Sequence, residues 1–265
     1  MTGMLRVLDL FSGIGGISLG LEMTGGFETV AFCERDPYCK SILRQHWPTT
    51  PIYGDVKELH FDQPVDLVSG GYPCQPYSQA GQRRGDQDDR ALWPEMARII
   101  DETRPDWVLA ENVAGHVNLG LDEVLSDLEA RNYTWGAYII PAAAVDAWHR
   151  RDRVWILAHS DRKREPDGAV DEKPRSRVLD VANAGGKGHA PHDFQKFSKR
   201  LQHNAGERSS QNVRPRLWKT EPRVGRVAHG IPARLDRIKA LGNSVVPQVV
   251  AQIGRAILEA HYGDA

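Results

Sequence analysis

The stretch Ser69-Gly70-Gly71-Tyr72-Pro73-Cys74-Gln75-Pro76-Tyr77-Ser78 holds the residue best suited to nucleophilic chemistry, Cys74. An apolar run, Val65-Asp66-Leu67-Val68, leads into it and reads as a buried strand. The paired glycines and two prolines stop that strand and constrain the loop after it. A thiol at the carboxyl end of a strand faces the crevice where open α/β sheets bind ligands. A single cysteine is more often a small buried hydrophobe. Pro-Cys-Gln-Pro-Tyr-Ser is too polar and too constrained for that role.

Other groups with chemical potential recur at similar places. Phe11-Ser12-Gly13-Ile14-Gly15-Gly16 follows the short apolar run Leu5–Leu10 and precedes Ile17-Ser18-Leu19-Gly20-Leu21-Glu22, where Ile17, Leu21 and Met23 have helical spacing. This strand, glycine-rich turn and helix would let backbone approach a nucleotide-like ligand. The dinucleotide pattern G-x-G-x-x-G fails, because Ser18 stands at its third glycine. Glu34 closes the apolar run Thr29–Cys33, about 20 residues beyond the turn, where an acid can accept both hydroxyls of a ribose. Asp55, after Ile52-Tyr53-Gly54, could accept from an exocyclic amine. Glu111 ends the run Trp107–Ala110, which puts it on the edge that carries Cys74 if the two strands are parallel. Arg151 and Arg153 alternate ahead of Val154–Ala158 and so share a face, an anion or carbonyl clamp if an acid and a thiol lie beside them.

Alternating strands and helices must position these groups. Helices are expected at Pro37–Gln45, Leu92–Thr103 (Leu92, Met96, Ile99, Ile100), Leu121–Arg131 (Leu121, Val124, Leu125, Leu128) and about Pro247–Ala260, where Val249, Val250, Ile253, Ile257 and Leu258 form an apolar stripe. A further strand is expected at Thr134–Ile140. The pattern predicts a doubly wound, mostly parallel α/β sheet. Gln79–Arg90 reads as a polar loop able to close over a substrate. Three segments follow: residues 1–158 as the catalytic body, 159–228 as a change of character rich in Gly, Asn, Ser and basic residues, and 229–265 as the return to the body. Val178-Leu179-Asp180-Val181 is the best strand pattern in the middle segment.

Composition narrows the class. The 265 residues are 40% hydrophobic with a formal net charge of −1. That neutrality conceals an asymmetry: Arg150–Arg226 carries 19 Lys+Arg against 10 Asp+Glu. A basic segment in an acidic body suits either a nucleic-acid-facing insertion or a solvated loop. Only Cys33, Cys39 and Cys74 are present, which argues against a disulfide framework, and no Cys/His spacing indicates a zinc site. Cys33 and Cys39 read as structural. Without an apolar leader at Met1–Met4 or a membrane-length apolar run, the expectation is a soluble cytoplasmic protein without membrane contact.

Six of these elements, in order, resemble the DNA (cytosine-5) methyltransferases of bacteria and phages. Asp9–Gly16 resembles their first S-adenosylmethionine motif, Gly71-Tyr72-Pro73-Cys74-Gln75 the nucleophile motif, and Glu111-Asn112-Val113 the acidic motif. His149-Arg150-Arg151-Asp152-Arg153 is similar to their Gln-x-Arg-x-Arg element, with His149 for Gln. Gly242-Asn243-Ser244-Val245-Val246-Pro247 is similar to the last motif, and Glu34 and Asp55 stand at the ribose and adenine positions. The resemblance implies S-adenosylmethionine as cofactor, held by Phe11, Gly13, Ile14, Gly15, Gly16, Glu34, Asp55, Val56, Gly71, Pro73, Leu92, Asn243 and Ser244. It implies catalysis by Cys74, Glu111, Arg151 and Arg153 with no metal, and contacts to double-stranded DNA from Gln75, Ser78, Arg83 and Arg84. A monomer is expected, and a restriction endonuclease acting at the same site without direct contact is a partner the resemblance allows.

The implied reaction is addition of Cys74 to C6 of a flipped-out cytosine, methylation at C5, and release of the thiol. The sequence departs from the family in a short recognition segment (about 159–228), an indistinct ninth motif, and Trp148 where a proline is usual. An RNA-directed enzyme of the same chemistry is an alternative, although the Cys-Phe-Thr signature of a tRNA-modifying branch is absent. A non-catalytic cofactor- or DNA-binding relative is another.

Overall fold

The computed structural model of the chain describes residues 3–73, 92–118, 120–160, 178–180 and 234–263. Its elements in order are β1 (Leu5–Leu10), α1 (Gly16–Glu22), β2 (Phe27–Cys33), α2 (Pro37–His46), β3 (Ile52–Tyr53), β4 (Leu67–Gly70), α3 (Trp93–Thr103), β5 (Trp107–Val113), α4 (Leu121–Ala130), β6 (Tyr133–Pro141), β7 (Asp152–Ser160), β8 (Val178–Asp180), α5 (Arg234–Asn243) and α6 (Pro247–Tyr262).

Among the described residues the strands form one sheet in the order β3-β2-β1-β4-β5-β7-β6-β8. β7 is antiparallel to both β5 and β6, and every other pairing is parallel. The chain runs outward from β1 to β2 and β3, then crosses back to β4 and β5. The strand order therefore reverses between β1 and β4, and the crevice of a doubly wound sheet opens at their carboxyl ends. Leu10 is level with Gly70, and Gly70 with Ala110. The residues just past them, Phe11, Gly71 and Glu111, thus share one edge.

Burial on both faces explains the near-continuous apolar strands. Val7, Leu8, Leu10, Leu67, Val68, Val108, Leu109 and Ala110 have no solvent exposure. One face is covered by α3 and α4 through Met96, Ile99, Ile100, Val124, Leu125 and Leu128. The other is covered by α1 and α6 through Ile17, Leu21, Val249, Val250, Ile253 and Ile257. Each such side chain contributes about 1.5–3 kcal/mol of burial. Met23 ends α1 and is exposed, so the expected stripe stops at Leu21.

Local signals set several ends. Asp36 caps α2, accepting from the Tyr38 and Cys39 amides, and Pro37 takes the first helical position. α3 stops at Arg104, which adopts a left-handed conformation (φ 48°) before Pro105. Close helix contact fixes α6 against α1: a Cβ on Gly20 would lie 2.5 Å from both the Pro247 carbonyl oxygen and the Val250 Cβ. The C-terminal helix is thereby part of the body that begins the chain. α5 was not anticipated as a helix, because Leu235 and Leu241 are exposed and leave no clear apolar stripe. No helix among the described residues is long and apolar enough to cross a membrane.

Candidate active site

Glu111 is the best-defined chemical group on the shared edge. It lies within β5, two residues before the strand ends and just past the last pairing with β4, opposite Trp155 of β7, and is 8% exposed. Burial pushes its carboxyl up from 4.5 to about 7, against the opposing pull of Arg153 and Arg151. The Arg153 Nε donates to Glu111 Oε1 at 2.9 Å. A carboxyl poised near neutrality, oriented by a guanidinium, suits proton donation to a ring nitrogen or hydrogen bonding beside it.

The approach to Cys74 is built against this acid. A Cβ on Gly71 would lie 3.1 Å from Glu111 Oε2, so glycine lets the chain pass close to the carboxylate. Asn112, next to the acid, donates through Nδ2 to the Tyr72 carbonyl at 3.0 Å. The Tyr72 hydroxyl is 2.7 Å from His116 Nε2, and its ring packs on Trp93. Pro73 is the last residue described before Cys74. Cys74 itself lies outside the described residues, as do Gln75, Ser78, Arg83 and Arg84 and the expected closing loop Gln79–Arg90.

The two arginines have different partners. Arg153 lies within β7 and reaches Glu111, whereas Arg151 precedes the strand with φ 39°. Through Nη2, Arg151 donates to the carbonyls of Gly242 (2.7 Å) and Ser244 (2.6 Å). It thus holds the turn between α5 and α6, and its remaining link to Glu111 is electrostatic.

The glycine-rich turn shows a division of labour that the pattern did not reveal. Gly13 has φ +54° with open space at its Cβ position, and its amide donates to Glu34 Oε2 at 2.7 Å. Glu34 Oε1 accepts from the Asp36 amide. Gly15 and Gly16 also permit close packing: a Cβ on Gly15 would meet the Trp47 ring at 2.6 Å, and one on Gly16 would meet Ser244 Oγ at 2.7 Å. Phe11 adopts φ 51° and packs on the core beside Gly70. Asp55 accepts from the Lys57 amide, and Val56 behind it is buried. Leu92, at the start of α3, packs on the same core.

A partly open cavity of about 300 Å³ is lined by Ile14, Gly16, His149, Arg151, Ser244 and Val245, among others. It adjoins the last of the expected cofactor residues but not Glu34 or Asp55. Asn243 ends α5 and is exposed beside it. The groups present fit the hydroxyls and amine of a nucleoside: Glu34 retains acceptor capacity for hydroxyls, Gly13 has open space at its Cβ position, and Asp55 can accept from an amine.

Three further residues support the site: Asp9, which the sequence offers only as the first residue of the Asp9–Gly16 motif, and Arg98 and His116, which belong to none of the quoted motifs. Asp9 has no solvent exposure and accepts from Ser18 and Ser69 at 2.8 Å each, tying β1 to α1 and β4; burial pushes its carboxyl up to about 7. A lone acid inside an apolar strand is the signal that could have flagged it. Arg98 donates to the carbonyls of Val56 (2.8 Å) and Leu59 (2.9 Å), holding the turn after Asp55. His116 carried no periodic or motif signal. Cys33 and Cys39 are both buried, and burial pushes their thiols up to about 12 and about 11, so neither is a nucleophile at neutral pH.

A family model described as C-5 cytosine-specific DNA methylase matches residues 5–221. The Type II methyltransferase M2.BsuMI of Bacillus subtilis is 36% identical over 201 residues, covering 68% of this chain and 50% of that protein. The Type II methyltransferase M.HgiCII of Herpetosiphon aurantiacus is 34% identical over 186 residues, covering 66% and 42%. The chain spans about half the length of these curated relatives. In fold it is similar to the S. pombe Dnmt2 methyltransferase (TM-score 0.63, 18% identity, 98% of this chain and 100% of that chain).

Proposed function

Given that the chain belongs to the C-5 cytosine-specific DNA methylase family, we propose that it methylates C5 of cytosine in double-stranded DNA, using Cys74 as nucleophile. The observation that carries this reading is the β4–β5 edge. The chain entering Cys74 passes Glu111 at Gly71, and Arg153 orients the acid.

Cytosine C5 is a poor nucleophile. Addition of the Cys74 thiolate to C6 places electron density on C5 and toward N3. Glu111, with a carboxyl near neutrality, donates a proton or hydrogen bond at N3 and accepts from the 4-amino group. Arg153 keeps Glu111 in place and takes O2 of the base. S-adenosylmethionine, when bound, supplies an electrophilic methyl group on a sulfonium. Glu34 would accept the ribose hydroxyls and Asp55 the adenine amine, with the buried Val56 next to Asp55 supporting that end of the site. Phe11, Gly13, Ile14, Gly15, Gly16, Gly71, Pro73, Leu92, Asn243 and Ser244 would hold the rest of it, and Arg151 fixes the Gly242–Ser244 turn. After transfer, loss of the C5 proton and expulsion of Cys74 restore the aromatic ring. Gln75, Ser78, Arg83 and Arg84 contact DNA, the basic segment 159–228 supplies recognition, and affinity weakens as salt rises. The enzyme acts as a monomer in the cytoplasm, and an endonuclease of the same site specificity is its functional counterpart.

Labelled methyl transfer from S-adenosylmethionine to mixed-sequence duplex DNA, with tRNA in parallel, tests the reading. Label at cytosine C5 within one short DNA sequence supports it. Label on tRNA alone, or on neither, refutes it.

A further inference from the structure

His116 sits in a 3₁₀ turn, Ala114–Asn118, directly after β5, and is only 5% exposed. Its Nε2 meets the Tyr72 hydroxyl at 2.7 Å, with the rings edge to face at 76°. Its Nδ1 is buried without a hydrogen-bond partner among the described residues. Leaving a buried polar atom unpaired is destabilising, and a Phe or Leu filling the same space would avoid that cost. Burial also pushes the imidazole below its ordinary pKa, so it is neutral at neutral pH. Among the described residues, the polar contact this side chain makes falls on Tyr72, two positions before Cys74.

Tyr72 is held from several directions. Asn112 grips its carbonyl, Trp93 flanks its ring, and His116 takes its hydroxyl. Asn112 and His116 both follow Glu111 on the same stretch of chain, so that stretch carries the acid and the anchors of Tyr72 together. Pro73 then restricts the next backbone torsion. Few soft torsions separate this anchored tyrosine from residue 74.

We infer that His116 is a positioning residue for methyl transfer: through the Tyr72 hydroxyl it sets the backbone that leads into Cys74 relative to Glu111. The inference rests on the proposed role of Cys74. His116 touches neither substrate nor cofactor.

The test compares wild type with His116→Phe, Tyr72→Phe, their combination, and His116→Gln, whose amide nitrogen reaches the place of Nε2. His116→Phe and Tyr72→Phe should each lower kcat about tenfold to a hundredfold, since small misplacements of reacting groups carry losses of that size. KM for S-adenosylmethionine should stay within about twofold, and the double variant should be no worse than either single one. His116→Gln should recover most of the rate. A kcat for His116→Phe within about twofold of wild type overturns the proposal. So do independent, additive losses, or a glutamine variant as impaired as the phenylalanine one. If wild type methylates nothing, the proposed function fails, and the pair is judged by the rate of iodoacetamide alkylation at Cys74, mapped by mass spectrometry. Cys33 and Cys39 are buried and protonated, so Cys74 is the thiol read. Rates altered in both phenylalanine variants but not in His116→Gln uphold the inference, and equal rates throughout overturn it.

Discussion

Replacing Glu111 by Gln should stabilise the protein at alkaline pH while removing its activity. The wild-type carboxyl is pushed up by burial from 4.5 to about 7. Between those values the folded state holds a proton that the unfolded state has released. Stability therefore falls as pH rises through the window, and the loss is complete above about pH 7. The gap corresponds to about 3 kcal/mol, at about 1.4 kcal/mol per pH unit. Glutamine resembles the protonated acid at every pH and escapes this loss. The variant should match wild type near pH 4.5 and exceed it by about 3 kcal/mol at pH 8. Asp9, whose buried carboxyl is also pushed up to about 7, is present in both proteins and cancels from the difference. The assay is urea denaturation of both proteins at half-unit steps from pH 4.5 to 8.5, paired with turnover, which should fall by about a hundredfold or more. A stability difference that is flat with pH, or that grows toward acid, would refute the claim that burial outweighs the Arg153 guanidinium at this site.

Gly20→Ala should destabilise the fold by about 1–3 kcal/mol, because the new methyl meets a carbonyl oxygen and a Cβ on α6 at 2.5 Å; thermal denaturation reads it. Arg151→Ala removes two donors from the Gly242–Ser244 turn and should weaken S-adenosylmethionine binding about tenfold by calorimetry, leaving the Glu111 pair with Arg153 intact. The Cys33→Ala, Cys39→Ala double variant should retain methyl transfer within about threefold, since both thiols are buried and protonated; a loss beyond that would give one of them a part in the chemistry.

The sheet was legible because its central strands are short apolar runs with chemical residues at their ends. Leu5–Leu10, Trp107–Ala110 and Val154–Ala158 each fall within a strand, and Glu111 follows from the second of them. Parallel pairing of β4 with β5 then places Gly71 and Glu111 side by side. Contacts across the chain were not legible. That Gly16 makes room for Ser244, more than two hundred residues away, depends on the packing of α6 against α1 rather than on the turn itself. Arg151 and Arg153 looked equivalent by alternation, but a positive φ at Arg151 separates their partners. Arg98 looks like any exposed helical arginine until its reach to the Val56 carbonyl is seen. α5 lacks the apolar stripe by which the other helices announce themselves.

The most direct test of the account is covalent capture. Duplex DNA carrying 5-fluorocytosine at the methylated position, incubated with the protein and S-adenosylmethionine, cannot lose the group at C5 and should leave the thiol bonded to C6. A stable protein–DNA adduct mapped to the peptide containing Cys74, and absent in Cys74→Ser, is the predicted result. Methyl transfer that persists in Cys74→Ser, or an adduct mapped to Cys33 or Cys39, would contradict it.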